Sequence, residues 1–302
     1  MKVIVEVKGL KKQYFAGRGL FRKEADIIRA VDGLDLTLYK GKNLGLVGES
    51  GCGKTTAGKL ILGLIRPDSG SVKINGTDVF DKCKKKRLLL KKSAQIIFQD
   101  PYGSLNPRMK IGDIVLEGVD IFRLAKKEGR EKRLKKLLGL VGLPYFAKDK
   151  YPHQFSGGER QRIAIARALS TEPEFIVCDE AVSSLDMSIR AQILNLLKDL
   201  QDNLGLSYLF ISHDLNVVKY ISDQVAVMYR GRIVEYAESS LLYQNPRHPY
   251  TKLLLSANLS ANPDERKRKF ILPELDDKLT KEYKETPPPL EEVEPNHFVQ
   301  PC

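Results

Sequence analysis

Short apolar runs alternate along this chain with stretches in which apolar residues recur every three or four positions. Residues 3–7 alternate as an amphipathic strand and 28–38 predict another, with a polar, glycine-containing insertion from Phe15 to Asp26 between them. Leu44 to Val47 form an apolar strand; after a glycine-rich turn, Leu60, Ile61 and Leu64 carry a helical pattern. Pro67-Asp68-Ser69-Gly70 predicts a turn and Ser71 to Ile74 a short strand. Gln95 to Phe98 predict a core strand running into a loop broken by Asp100-Pro101 and Asn106-Pro107. From Ile111 to about Tyr151 the pattern is helical and charged, with Leu134, Leu137, Leu138 and Val141 on one face.

A second set of strands and helices follows. A helix opens near Ser156 and carries Ile163, Ile165, Ala166 and Leu169. Phe175 to Cys178 predict a strand buried on both faces, and Ser183-Ser184-Leu185-Asp186 begins a long helix with Ile189, Ile193, Leu197 and Leu200 inward. Leu209 to Ile211 make a last core strand, and Gln224 to Tyr229 and Arg232 to Tyr236 two shorter ones. Asn245 to Thr251 caps a helix through Leu253 to Leu255. From Asn262 the chain is charged and proline-bearing, which predicts a tail extended or wrapped around the body. Strands and helices in alternation make this an α/β chain.

Composition narrows the classes. With 302 residues, 42% hydrophobic and 29% charged, the chain has ample length for a buried core. No apolar run approaches the roughly 18 residues of a membrane span, and the opening strand is too short in apolar residues for a signal peptide. The expectation is a cytosolic chain unless a partner holds it at a membrane. Cys52, Cys83, Cys178 and Cys302 show no paired spacing, so structural disulfides are not expected. The net charge of +12 gathers at Lys82 to Lys92 and Lys126 to Lys136. Both runs lack interleaved aromatics and read as solvated helical faces before they read as surfaces for anionic lipid or nucleic acid.

The chemistry concentrates at strand ends. Gly48-Glu49-Ser50-Gly51-Cys52-Gly53-Lys54-Thr55-Thr56 is G-x-x-x-x-G-K-T between a strand and a helix, the P-loop in its required context. Gly48, Gly51 and Gly53 let backbone N–H groups converge on phosphates, the helix N-terminus adds partial positive charge, and Lys54 neutralises the β- and γ-phosphates. Thr55 offers a hydroxyl to Mg²⁺, and Thr56 reaches the α-phosphate. The acids that end the Phe175–Cys178 strand suit a Walker B element, Asp179 holding Mg²⁺ and Glu180 orienting or deprotonating a water. Gln99, at a strand's carboxyl end, points into the ligand crevice, although taken alone it reads first as a polar loop residue. Ser156-Gly157-Gly158-Glu159 opens a helix as a second anion site, although N-capping explains the serine on its own. Tyr14 offers a face to an adenine or simply packs, and His213 either meets a γ-phosphate or is structural.

Taken together, the P-loop, Gln99, Ser156-Gly157-Gly158-Glu159-Arg160, Asp179-Glu180, Ser183-Ser184-Leu185-Asp186 and His213 resemble the nucleotide-binding subunit of ABC transporters across residues 1–240. Gln99-Asp100-Pro101-Tyr102-Gly103-Ser104-Leu105-Asn106-Pro107-Arg108-Met109 and Arg247-His248-Pro249-Tyr250-Thr251 are similar to the oligopeptide and dipeptide importer branch, to which nickel and glutathione importers are related. The resemblance implies a P-loop NTPase (RecA-like) core with an antiparallel β subdomain, a helical subdomain inserted at about 103–157, and a C-terminal extension over 241–302. It implies ATP and Mg²⁺ as cofactors. Tyr14 would stack on adenine, Gly48 to Thr56 hold phosphates, and Thr55, Gln99 and Asp179 serve the metal. Gln99 would also couple to the membrane subunit; Glu180 would be the general base and His213 its partner on the γ-phosphate. Ser156, Gly157, Gly158 and Glu159 would cap ATP bound to the opposite protomer, with Asp186 on the seam.

The implied partners are two transmembrane permease subunits, a second ABC ATPase (paralogue or self) in a head-to-tail dimer and, indirectly, an extracytoplasmic peptide-binding protein. The implied location is the cytoplasmic face of the cell membrane. Three positions depart from the pattern. Glu159 stands where the general signature has glutamine, and Ser184 replaces a commoner alanine. The tail offers only Cys302 where many relatives carry a cysteine cluster, so no iron–sulfur cluster is expected. Rival readings are a soluble ABC ATPase acting on nucleic acid or ribosomes and a catalytically dead regulatory subunit. The single P-loop and signature count against the first, and Lys54, Glu180 and His213 against the second.

Overall fold

The structure, a computed structural model, describes residues 2–16, 26–259 and 288–301. Strand β1 (Val3–Ala16) pairs antiparallel with β2 (Asp26–Tyr39), and β3 (Asn43–Val47) runs into helix α1 (Lys54–Ile61). Next come β4 (Ser69–Ile74), β5 (Thr77–Asp78), α2 (Lys84–Ser93), β6 (Ala94–Ile97), α3 (Pro101–Ser104), α4 (Ile111–Ile121) and α5 (Lys127–Leu140). The second half holds α6 (Gly157–Leu169), β7 (Phe175–Asp179), α7 (Met187–Leu204), β8 (Ser207–Ser212), α8 (Leu215–Ile221), β9 (Gln224–Tyr229) and β10 (Arg232–Glu238). It closes with α9 (Ser239–Gln244), α10 (Pro249–Leu259), β11 (Glu291–Glu294) and β12 (His297–Val299).

Two sheets result. The smaller is antiparallel in the order β2-β1-β4-β5; the larger runs β11-β12-β10-β9-β3-β8-β7-β6. Strands β9, β3, β8, β7 and β6 are mutually parallel, so their crossovers place helices on the faces and bury the strands on both sides. That is why β3, β7 and β8 read as unbroken apolar runs. Alternate residues of β7 enter different cores: Ile176 and Cys178 face α4 to α8, while Phe175 and Val177 face α1 and the antiparallel sheet. Parallel order also brings the carboxyl ends of β3, β6, β7 and β8 to one edge, where Gly48, Gln99, Glu180 and His213 follow them.

Tertiary structure extends several elements beyond their sequence pattern. β1 and β2 reach Ala16 and Asp26 because each completes the other's ladder, Tyr14 opposite Ile28 and Phe15 opposite Ile27. Of the polar insertion, residues 17–25 lie outside the described residues. The long helix begins at Met187 and not at Ser183, because the Asp186 carboxylate caps it by accepting from the Ile189 N–H at 3.0 Å. The boundary read at residue 240 cuts through α9, whose Leu242 is fully buried. Within the expected tail, β11 and β12 form a hairpin that joins the large sheet through β10, Glu235 opposite Val299. Residues 260–287 and Cys302 lie outside the described residues. Among the described residues no helix is long and apolar enough to cross a membrane.

Candidate functional site

The turn between β3 and α1 is dictated by contacts that leave no space for side chains. A Cβ on Gly53, at φ +111°, would lie 2.0 Å from the Ala30 carbonyl oxygen. One on Gly48 would lie 2.2 Å from the Met228 carbonyl oxygen. The loop is further tied by the Gly231 N–H, which donates to the Cys52 carbonyl at 2.8 Å. The loop curls over its own lysine: the buried Lys54 ammonium donates to the carbonyls of Gly48 and Glu49, both at 2.7 Å. A buried cation so held is satisfied yet exchangeable, since phosphate oxygens would make stronger, charge-assisted bonds than carbonyls do.

Beside it lies a cavity of about 500 Å³ lined by Ile28, Arg29 and Ala30, by Ser50 to Thr56, and by Gln99, Glu180 and Arg230. The Thr55 hydroxyl donates to Asp179 Oδ1 at 2.9 Å, so two hard oxygen donors sit together at the loop's end. Burial pushes the Asp179 carboxyl above the ordinary carboxylate range; the Thr55 bond opposes this and the neighbouring Glu180 charge adds to it. The same burial raises the Cys52 thiol, which makes it a packing group and a poor thiolate.

Glu180 is held in a conformation that few residues other than glycine adopt, φ +48°, with its N–H donating to the Ile211 carbonyl at 2.9 Å. Its two carboxylate oxygens have separate partners: Gln99 Nε2 donates to Oε2 at 2.8 Å, and His213 Nδ1 lies 3.3 Å from Oε1. Three strand ends thus fix one carboxylate in position and orientation beside the P-loop.

The other motif lies outside the cavity lining. Ser156 caps α6, accepting from the Glu159 N–H at 3.4 Å, and Glu159 Oε2 accepts in return from the Ser156 N–H and hydroxyl, both at 2.8 Å. These bonds, the backbone one foremost, hold the Glu159 carboxyl below its ordinary range. A Cβ on Gly158 would lie 2.4 Å from Ile189 Cγ2, so this glycine lets α6 and α7 start side by side, next to the capping Asp186. Capping explained Ser156 from sequence; the close approach of Ile189 supplies the missing reason for Gly158.

Tyr14 is 42% exposed, over which Lys12 lies 5.6 Å from the ring centroid. It does not line the cavity, although its ladder partner Ile28 does. Sequence reasoning missed Ile28, Arg29, Ala30 and Arg230. The only signal for Arg230 was its place with Gly231 between two predicted strands, a turn that nothing local directs toward the P-loop.

A P-loop on a parallel sheet, with a positioned carboxylate and a threonine–aspartate oxygen pair, defines a nucleoside-triphosphatase. Residues 31–183 match the family model described as ABC transporter, and residues 234–286 match that of the oligopeptide/dipeptide transporter C-terminal region. The oligopeptide transport ATP-binding protein OppF of Bacillus subtilis is 50% identical over 98% of this chain and 95% of its own length. The dipeptide transport ATP-binding protein DppF of Escherichia coli is 47% identical over 89% of this chain and 80% of its own. Among solved structures, cbiO1 of Clostridium perfringens, described as part of the ABC transporter complex cbiONQ, superposes with a TM-score of 0.70 at 25% identity, over 93% of this chain and all of that one. The dimeric ATP-binding cassette MJ0796 bound to ADP and phosphate gives 0.67 at 27% identity, over 78% of this chain and 99% of its own. The chain belongs to the ABC transporter family, as an ATP-hydrolysing subunit of the kind that works as a dimer with transmembrane permeases.

Proposed function

We propose that this chain powers an importer of oligopeptides or dipeptides from the cytoplasmic face of the cell membrane. It would pair head to tail with a second ABC ATPase, itself or a paralogue, beneath two transmembrane permease subunits that receive peptide from an extracytoplasmic binding protein. Nucleic acid is not among the proposed partners. The observation that carries the reading is the match of residues 234–286 to the peptide-transporter C-terminal model, continuous in the same chain with the P-loop cavity. In this reading residues 1–240 are the ATPase unit, with the helical insertion at about 103–157, and 241–302 the branch-specific extension.

The site residues divide the work. Backbone N–H groups from Gly48 to Thr56 bind the phosphates, and Lys54 leaves its two carbonyls for them. Thr55 and Asp179 fit Mg²⁺, because they bring two oxygen donors together and Asp179 is a buried carboxylate whose charge a cation would stabilise; Gln99, which lines the same cavity as Thr55, would add its amide oxygen. Bound there, the ion would neutralise charge on the β- and γ-phosphates. Glu180 accepts the proton of the attacking water, while Gln99 and His213 keep its carboxylate aimed. Tyr14 would stack on the adenine, beside its ladder partner Ile28 of the cavity lining. Ser156, Gly157, Gly158 and Glu159 lie outside their own protomer's cavity lining, which supports their closing the partner's site, with Asp186 at the seam.

Glu180→Gln keeps the size of the side chain and one acceptor oxygen but removes the base. ATP binding should be retained while kcat falls at least about a hundredfold, measured by phosphate release and nucleotide titration. Hydrolysis at the wild-type rate would overturn the assignment of the base. The same variant, tagged and extracted gently with ATP and Mg²⁺, should co-purify two integral membrane chains. Ribosomal proteins or DNA in their place would refute the transporter reading.

A further inference from the structure

The Arg247-His248-Pro249-Tyr250-Thr251 stretch, which marks the branch, has no part in the mechanism above. Yet it reaches the phosphate loop. The Glu49 N–H donates to the Tyr250 hydroxyl oxygen at 3.1 Å, across 201 positions of sequence. That N–H shares a peptide group with the Gly48 carbonyl, which accepts from Lys54 Nζ at 2.7 Å. One peptide plane is therefore gripped on its N–H side by Tyr250 and on its carbonyl side by the P-loop lysine. Rotating it would move both.

Tyr250 is itself held rigidly. Only 2% of it is exposed, and its ring packs on Tyr229, centroids 4.4 Å apart, at the end of the strand that leads into Arg230. Its N–H donates to His248 Nδ1 at 3.1 Å, which requires that nitrogen to be unprotonated. Burial supplies the condition by holding the His248 pKa down to about 4. The N–H groups of Arg247 and His248 donate to the two oxygens of the fully buried Glu235, at 2.8 and 2.9 Å. Glu235 also meets His297 Nε2 of β12 at 2.7 Å. A chain of polar contacts thus runs from the terminal hairpin through β10 and the start of α10 to the loop.

We propose that Tyr250 is a positioning residue for nucleotide binding: its hydroxyl fixes the Gly48–Glu49 peptide and, through it, the seat from which Lys54 meets the phosphates. The C-terminal extension then sets ATP affinity within the protomer that carries it. This rests on the reading of the P-loop cavity as the nucleotide site.

Tyr250→Phe keeps the buried ring and deletes only the hydroxyl. Its dissociation constant and KM for ATP should rise roughly five- to tenfold, the effect of one net hydrogen bond, with kcat changed less than about twofold. Without nucleotide, amide exchange in a peptide spanning residues 45–52 should quicken while the melting temperature stays near wild type. A lower melting temperature with unchanged ATP affinity and unchanged exchange would make Tyr250 a packing residue only and overturn the proposal. Lys54→Ala, run in parallel, separates the two levels. If it binds ATP as wild type does, the site reading itself fails; if it loses ATP while Tyr250→Phe does not, only the role of Tyr250 fails.

Discussion

Asp179 must be charged to serve a cation, and the fold places it where charge is disfavoured. Its carboxyl is raised by burial, so the ionised form is an internal strain on the protein without ligand. The sign follows from linkage. A carboxyl whose folded pKa lies above its unfolded value contributes stability that is present in acid and is lost as pH rises through the folded pKa. Asp179→Asn, which keeps the shape, should therefore raise the melting temperature of the nucleotide-free protein at neutral pH and lessen its decline as pH rises above the carboxylate range. It should also abolish the extra stabilisation that Mg²⁺ adds to ATP, measured by thermal shift. A lower melting temperature at pH 7 would show that Asp179 supports the fold as an anion. Glu180 makes the complementary case: its left-handed backbone is tolerated because Ile211, Gln99 and His213 over-determine its place.

Elements whose pattern was decisive in the sequence are those with a single dominant constraint. β7 and β8 are buried on both faces, so apolar residues fill their centres, Phe175 to Cys178 and Leu209 to Ile211, and α7 shows one clear inner face. The P-loop was legible because phosphate chemistry demands those residue types at that spacing. What stayed hidden depends on distant partners. The length of β1 and β2 comes from mutual pairing, Arg230 faces the cavity only because Gly231 reaches Cys52, and Tyr250 acts on a loop 201 residues away. The tail hairpin was hidden for the same reason, since Glu291–Glu294 is a strand only against β12. Gly45, inside β3, is another hidden constraint: a Cβ there would lie 2.2 Å from Val218 Cγ1 of α8 and 2.7 Å from Ser222 Oγ. Gly45→Ala should cost about 1–3 kcal/mol by overpacking, and Val218→Ala in the same chain should recover the part of that loss owed to the valine. A double-mutant cycle by denaturant unfolding measures the coupling. Additive effects would mean that α8 shifts freely and that β3 is not clamped from this side.

At the scale of the whole molecule, the proposed function gives each protomer two half-sites that would face different partners. Ser50 to Thr56, Gln99 and Glu180 line the cavity; Ser156 and Gly158 stand at the start of α6, outside its lining. The proposed head-to-tail pair would place the α6 end of each chain over the other's cavity, so that two composite sites would arise from one surface pairing. Complementation tests this arrangement. Lys54→Ala spoils a chain's own phosphate site and leaves its serine sound; Ser156→Arg does the reverse. Each alone should hydrolyse ATP poorly. Mixed in equal amounts, random pairing makes half the dimers mixed, and each of these holds one intact site of two, so activity should recover to about a quarter of wild type. Recovery of that size requires both self-association and contribution of Ser156 in trans. If the mixture stays inactive while the chains still associate, the serine does not serve its partner's ATP, or the two sites fire only together; ATP bound more tightly by the mixture than by Ser156→Arg alone marks the second case, since only an intact composite site holds ATP from both sides. If the chains do not associate at all, the missing half-site belongs to a paralogue, and adding that second ATPase to the Lys54→Ala variant should restore the activity that self-mixing could not.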